Sequence, residues 1–177
     1  MADRDWLPPL VRRLKRAPLL PAGTGTAVVH RRPELERLLP HRPPMLLVDG
    51  VDAVDLERRA VRGHRHIRET DLGLDGHFPG DPLYPGLLLV ETMGQLGLTL
   101  LHFTNGPTTE VPSSARPPRV RATHVHYAAF LRPVRPGNHL ELHAQVVDGT
   151  YTTIAAGQVW CAGALAAYSI SEVLVDE

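Results

Sequence analysis

The sequence predicts an α+β fold in which a curved antiparallel sheet wraps one long apolar helix. Three observations lead there. The run LLLVETMGQLGLTLLHF is apolar almost all round and long enough for about four helical turns, so it should be buried. Two strand-like segments precede it and three or four follow it. No helical pattern separates the late strands, so they should pair antiparallel. Such a sheet leaves an exposed edge that a second subunit can cover.

Taken in order, residues 1–32 are rich in Pro, Gly and Arg and have weak periodicity. They are expected to form a loosely ordered extension ahead of a domain over 33–177. The segment WLPPLVRRLKRAPLL can also be read as a basic amphipathic arm for an acidic partner. PELERLLP reads as one or two helical turns. MLLVDGVDAVD is the first strand, and RRAVRGHRHIRE alternates enough to be the second. TDLGLDGHFPGDPLYPG is turn-rich and leads into the long helix. TNGPTTEVPSSARPPR has the composition of a mobile surface loop. RVRATHVHYAAFL, NHLELHAQVVD and YTTIAAGQVWCAG are strands, with ALAAYSISEVLVDE a fourth; PVRPGN is the turn between the first two.

The 177 residues suit one domain, and 43% apolar composition suits a globular one. The 19 basic and 19 acidic side chains cancel, which gives no sign of nucleic acid or membrane as partner. Lys15 is the sole lysine and Cys161 the sole cysteine, so an intrachain disulfide and a Cys-based zinc site are excluded. A reducing cytoplasm is the expected setting. No uninterrupted apolar run suggests a membrane span, and the N-terminus lacks the apolar core of a signal peptide.

The stretch GHFPGDPLYPGLLLVETMGQ holds the candidate chemistry. Glu91 and Gln95 are four apart and share one helix face. An ionised carboxylate in an apolar helix is costly unless it is paired or takes up a proton, so either the position faces solvent or the carboxylate is used. Pro85 suits a helix start, and Gly86 offers an unobstructed first-turn amide to an oxygen ligand. Gly94 and Gly97 lower helix propensity by up to ~1 kcal/mol each, which suggests close packing against the sheet. His77 is either a surface loop histidine or a base aimed by the Gly and Pro residues around it. A base, an amide donor and a carboxyl group form the inventory for proton abstraction beside a carbonyl.

PHRPPMLLVDGV (Pro40 to Val51) and the GHFPG stretch resemble the (3R)-hydroxyacyl carrier-protein dehydratases of the FabZ type. That family has PHR-x-P-x-LL-VD and GHFPG-x-P-x-x-PG-x-x-x-x-E-x-x-x-Q. FLRPVRPGNHLEL (Phe130 to Leu142) is similar to its later F-x-x-PV-x-PGD-x-L segment. The resemblance spans Pro33 to Leu174. Gly50 stands where the family usually has Arg, Asn138 replaces the Asp of PGD, ETMGQ stands for EAMAQ, and the first 32 residues have no counterpart.

The resemblance implies the hot-dog fold, dimerised edge to edge, and further assembly to a trimer of dimers also occurs in such proteins. It implies removal of water from a 3-hydroxyacyl thioester to give a trans-2-enoyl thioester in fatty acid or related acyl-chain synthesis. His77 would take the C2 proton. The Gly86 amide would hold the thioester carbonyl, and such a donor is worth about 3 kcal/mol. Glu91 would protonate the departing hydroxyl or orient the water that forms, and its apolar setting should raise its pKa. The His and Glu of one site would come from different subunits. Phe78 and Pro85 are expected beside the substrate, with Gln95 behind Glu91. The substrate would arrive on phosphopantetheine borne by an acidic carrier protein, which Arg132 and Arg135 could meet unless they are simply solvated. No cofactor and no metal are implied.

His64 with His66, and His124 with His126, share strand faces and could in principle bind a metal, but ordinary strand positions explain them better. Cys161 reads as a core thiol. Two rival readings remain. One keeps the fold with thioesterase or isomerase chemistry, although isomerase relatives commonly have Asp at the position of Glu91. The other is a non-catalytic acyl-chain-binding subunit, which could have lost His77 or Glu91.

Overall fold

Among the described residues, alternating apolar residues and turn signals resolve into ten elements: α1 (Leu7–Leu14), β1 (Thr26–His30), α2 (Arg32–Leu38), β2 (Gly50–Asp55), β3 (Ala60–His66), α3 (Gly86–Asn105), β4 (Arg119–Phe130), β5 (His139–Gly149), β6 (Thr153–Cys161) and β7 (Ala164–Asp176). The computed structural model describes residues 5–149 and 152–176. Seven strands form one sheet in the order β1-β2-β3-β5-β6-β7-β4, and each neighbouring pair is antiparallel. This is the hot-dog arrangement, with the sheet curved around α3.

Leu89, Met93, Leu96, Leu100 and Phe103 fall at alternating spacings of four and three, so they make one stripe along α3. That stripe packs into β3, β5, β6 and β7, on a core that includes Val61, Leu142, Ala144 and Val159. The helix is 20 residues long, about one turn longer than its pattern suggests. It is apolar and long enough to cross a membrane by composition, yet its stripe lies inside the protein's own sheet. Nor is it buried all round. Leu87 is 78% exposed, and Val90, Glu91, Gly94 and Leu98 are half-buried.

The close approach of helix to sheet is made by the sheet. A Cβ at Gly157 of β6 would lie 2.6 Å from the Cβ of Met93. Gly97 has only ordinary spacing to Ala144 and Ala155, and Gly94 has nothing within 4 Å, because it faces a cavity.

The extension differs from the expectation of loose order. Trp6, Leu10 and Leu14 recur every four residues and lay one face of α1 on Ala156, Tyr168 and Ile170. Gln158, itself buried, stitches the segment down. Its Nε2 donates to the carbonyls of Leu14 (2.6 Å) and Ala17 (3.0 Å), and its Oε1 accepts from Leu19 N (2.8 Å). β1 then adds an edge strand to β2, so the sheet begins before residue 33. Arg31 lies in the space beside Gly50. A Cβ there would sit 2.6 Å from its guanidinium, which pairs with Asp52 at 3.1 Å. Asn138 closes its turn by accepting from Arg135 N at 2.9 Å, a task its amide oxygen can do as an Asp would.

The strand expected over MLLVDGVDAVD is β2, and it starts later than its apolar run suggests, at Gly50 rather than Met45. Met45 and Leu47 are held out of the ladder by the side chain of Gln95. The loop before β4 is tied to the body, where His30 Nε2 meets Thr109 O at 2.8 Å and His102 Nε2 meets Glu110 O at 2.9 Å.

If α1 is part of the core, Leu14→Ala costs about 2 to 5 kcal/mol of unfolding free energy in urea titration, as for a buried leucine. A change below about 0.5 kcal/mol, typical of surface sites, would mean the extension is not packed.

Candidate active site

Chain geometry separates the candidate residues. Helical residues advance about 100° each, so Glu91, five residues after Gly86, points about 140° away from it around α3. The two positions accordingly line different cavities.

The first cavity, of about 480 Å³, is lined by His77, Tyr84, Gly86, Leu89, Phe130 and Arg132, among others. His77 Nδ1 lies 2.9 Å from Leu83 O. A carbonyl can only accept, so Nδ1 carries the hydrogen and Nε2 is left as the acceptor. Nε2 has no partner among the described residues. The loop around it is knitted by Leu83 N to His77 O (2.8 Å) and Tyr84 N to Val134 O (2.7 Å). At the head of α3 the N–H groups of Leu88 and Leu89 go to Pro85 O (3.0 and 3.3 Å), while Gly86 N–H has no acceptor among the described residues. Phe130 lies flat on this turn, and a Cβ at Gly86 would come within 2.9 Å of its ring. Glycine is therefore what lets an apolar wall and a free amide coexist here.

The loop is also anchored from below. Arg65, 4% exposed, bridges Asp49 (3.3 Å) and Asp71 (2.7 Å), and Asp71 lies just upstream of GHFPG. Asp49 in turn accepts from His66 N at 2.8 Å.

The second cavity, of about 210 Å³, holds Glu91 with His41, Gln95, Gly94, Leu98 and Val125. His77 is absent from its wall and Glu91 from the first. Gln95 Nε2 donates to Glu91 Oε1 at 2.8 Å, and His41 Nε2 lies 3.2 Å from the same oxygen. These contacts reverse the expected direction of the Glu91 pKa. The hydrogen bond from His41 and then that from Gln95 hold the carboxyl below the usual carboxylate range, against the upward push of burial. Stabilised as an anion, Glu91 is a carboxylate at neutral pH.

A family model described as a FabA-like domain matches residues 39–170. The chain belongs to that family. The curated protein "3-hydroxyacyl-[acyl-carrier-protein] dehydratase FabZ" of Nitratiruptor sp. is 37% identical over 115 residues, covering 64% of this chain and 75% of that one. The protein of the same name from Sulfurimonas denitrificans is 33% identical over 144 residues, covering 81% and 89%. Among solved structures, the dehydratase heterocomplex ApeI:P from Xenorhabdus doucetiae superposes with a TM-score of 0.61 at 18% identity, covering 81% of this chain and 91% of that one. At that identity the likeness shows the shared fold.

Set beside the family motifs, the remaining residues sort by position. Phe78 stacks on the His77 ring at 4.1 Å but is 52% exposed and outside both cavity walls. Pro85 caps α3 and lines neither. Gln95 borders the second cavity, but its amide is already committed. Its Oε1 accepts from Leu47 N (2.8 Å), and its two Nε2 hydrogens go to Met45 O (2.7 Å) and Glu91. It supports Glu91 and has no donor left for a substrate. Arg132 stands at the first cavity's rim, while Arg135 pairs with Asp81. Three of the four paired histidines meet carboxylates, and His66 stacks on His139. His64 Nδ1 is 2.6 Å from Asp52, and His126 and His124 share Glu172 at 2.7 and 3.6 Å. Among the described residues no three His, Cys, Asp or Glu side chains converge as a metal site. Cys161 is half-buried against the core. His41 beside Glu91 and Arg65 beneath the His77 loop are the positions at the candidate site that pattern reading passed over. The PHR motif signalled the first; nothing in spacing signalled the second.

Arg65→Ala should leave Asp71 without its ion pair and Asp49 with Arg68 alone, and cost about 1 to 3 kcal/mol in urea unfolding. A loss below about 1 kcal/mol would show that this ion pair does not anchor the His77 loop.

Proposed function

We propose that this chain removes water from 3-hydroxyacyl thioesters presented on an acyl carrier protein, the activity named for its relatives. The observation that carries the reading is the free Nε2 of His77 in one cavity with the Gly86 amide, at the mouth of an apolar wall. The C2–H bond of the substrate breaks to His77 Nε2. The thioester oxygen gathers charge against the Gly86 amide, which is fixed in place before the reaction. The electron pair forms the C2–C3 double bond as the C3–O bond breaks. The imidazolium proton passes to the departing oxygen, which leaves as water and returns His77 to neutral.

Glu91, as a carboxylate, accepts from the 3-hydroxyl and holds the leaving oxygen in line. Since His77 and Glu91 line different cavities in one protomer, the reading requires Glu91 of a second copy to complete the site. The unpaired side of β4, a 12-residue edge with Val125 and Phe130 exposed, gives a homodimer its seam. Arg132 and Arg135 at the first cavity's rim and beside it suit an acidic carrier surface, and the setting is cytoplasmic.

The test is incubation of the pure protein with a 3-hydroxyacyl carrier-protein thioester and mass analysis. Loss of one water is expected. Release of free acid would instead mean thioester hydrolysis, and an unchanged thioester across several chain lengths would mean a binding role. With the unfolding transition retained, His77→Ala should lower turnover by about 100-fold or more, the scale of a lost proton-transfer group, and Glu91→Ala by about 100-fold, the scale of a misplaced reacting group.

A further inference from the structure

The two oxygens of Glu91 are not equivalent. Oε1 receives both Gln95 Nε2 and His41 Nε2, whereas Oε2 has no partner among the described residues. The donors reach Oε1 from different elements. Gln95 is one turn along α3. His41 lies in the segment between α2 and β2, and its backbone is locked by the Arg42 guanidinium. That group donates to the carbonyls of Leu39 (2.9 Å), His41 (2.7 Å) and Glu36 (2.9 Å). A carboxylate held by one donor can still turn about its last bond; a second donor from another direction stops it.

The ring of His41 is suited to this. Nδ1 is buried without a hydrogen-bond partner among the described residues. A hydrogen on Nδ1 would be a buried orphan donor, so the ring carries it on Nε2, toward Glu91. Apart from His41, no ionisable side chain among the described residues lines the Glu91 cavity; Val90, Leu98, Val120, Val125 and Val173 make half of the rest.

We propose that His41 is a positioning residue for Glu91, pinning Oε1 so that Oε2 is the oxygen offered to the substrate hydroxyl. The role rests on the dehydratase reading of the site. It also gives the PHR motif two physical tasks, with Arg42 setting the backbone and His41 aiming the carboxylate.

The test joins a titration with kinetics. The Glu91 carboxyl is followed by ¹³C NMR, assigned by its loss in Glu91→Gln, in the wild type, His41→Ala and His41→Gln. In His41→Ala the Glu91 titration should move to higher pH, since burial then meets only Gln95 as opposition. The kcat for dehydration should fall about 10- to 100-fold with KM within about twofold, the cost of a slightly misplaced group. His41→Gln, which keeps an N–H donor, should recover most of both. Should His41→Ala fail to fold, His41→Phe keeps ring volume without a donor and gives the same readings. An unmoved Glu91 titration, or a kcat within about twofold of wild type, overturns the proposal. If the wild-type protein leaves the thioester unchanged while the titration still moves, the dehydratase reading falls and the hold of His41 on Glu91 stands.

Discussion

The seating of α3 in the concave face of the sheet constrains everything that follows. Its apolar stripe must face β3, β5, β6 and β7, and Gly157 gives Met93 the room to do so. Once that phase is set, the rest of the helix has no freedom. Gly86 opens toward the His77 loop, and Glu91 turns toward β4 and β7. Rotating the helix cannot bring both to one cavity, since they stay about 140° apart, and any other phase would expose leucines and bury polar groups, at a cost of several kcal/mol. The division of the chemistry between two cavities thus follows from core packing.

The electrostatics follow from the same placement. Burial alone would push a helix carboxyl toward its neutral form. Two donors outweigh that push, because hydrogen bonds to an ion are about twice as strong as those between neutral groups. Glu91 therefore holds its charge in a largely apolar wall, and His77 is left as the group with an open proton acceptor. The base and the carboxylate divide the work by partner: a carbonyl fixes the tautomer of one, and a histidine and an amide fix the anion of the other.

What could be read from the sequence was what depends on local period. The α3 stripe, the late strands and the GHFPG turn repeat on the scale of a few residues, and their elements lie where expected. α1 showed only as a basic amphipathic segment, and its packing was hidden because its stripe is only three residues deep, Trp6, Leu10 and Leu14, among prolines and arginines. Its order comes from Gln158, which is distant in sequence. β1 is five residues long and gains its place only by pairing with β2. In the site, His77, Gly86 and Glu91 were visible as residue types. That Glu91 is held low was not, since the deciding hydrogen bond comes from His41 on another element. Nor does a linear motif show that two of its members face apart until the helix phase is counted.

The central claim is that His77 and Glu91 act across a two-fold interface, and mixing two inactive variants tests it most directly. His77→Ala and Glu91→Ala are co-expressed with different tags, and the heterodimer is isolated by tandem capture. A closed dimer formed at random is half heterodimer, and each heterodimer holds one complete site of two. The unsorted mixture should therefore regain about a quarter of the wild-type rate per protomer, and the isolated heterodimer about half. If captured heterodimers are as inactive as either parent, the two residues do not share a site between subunits, and the account of this active site is contradicted.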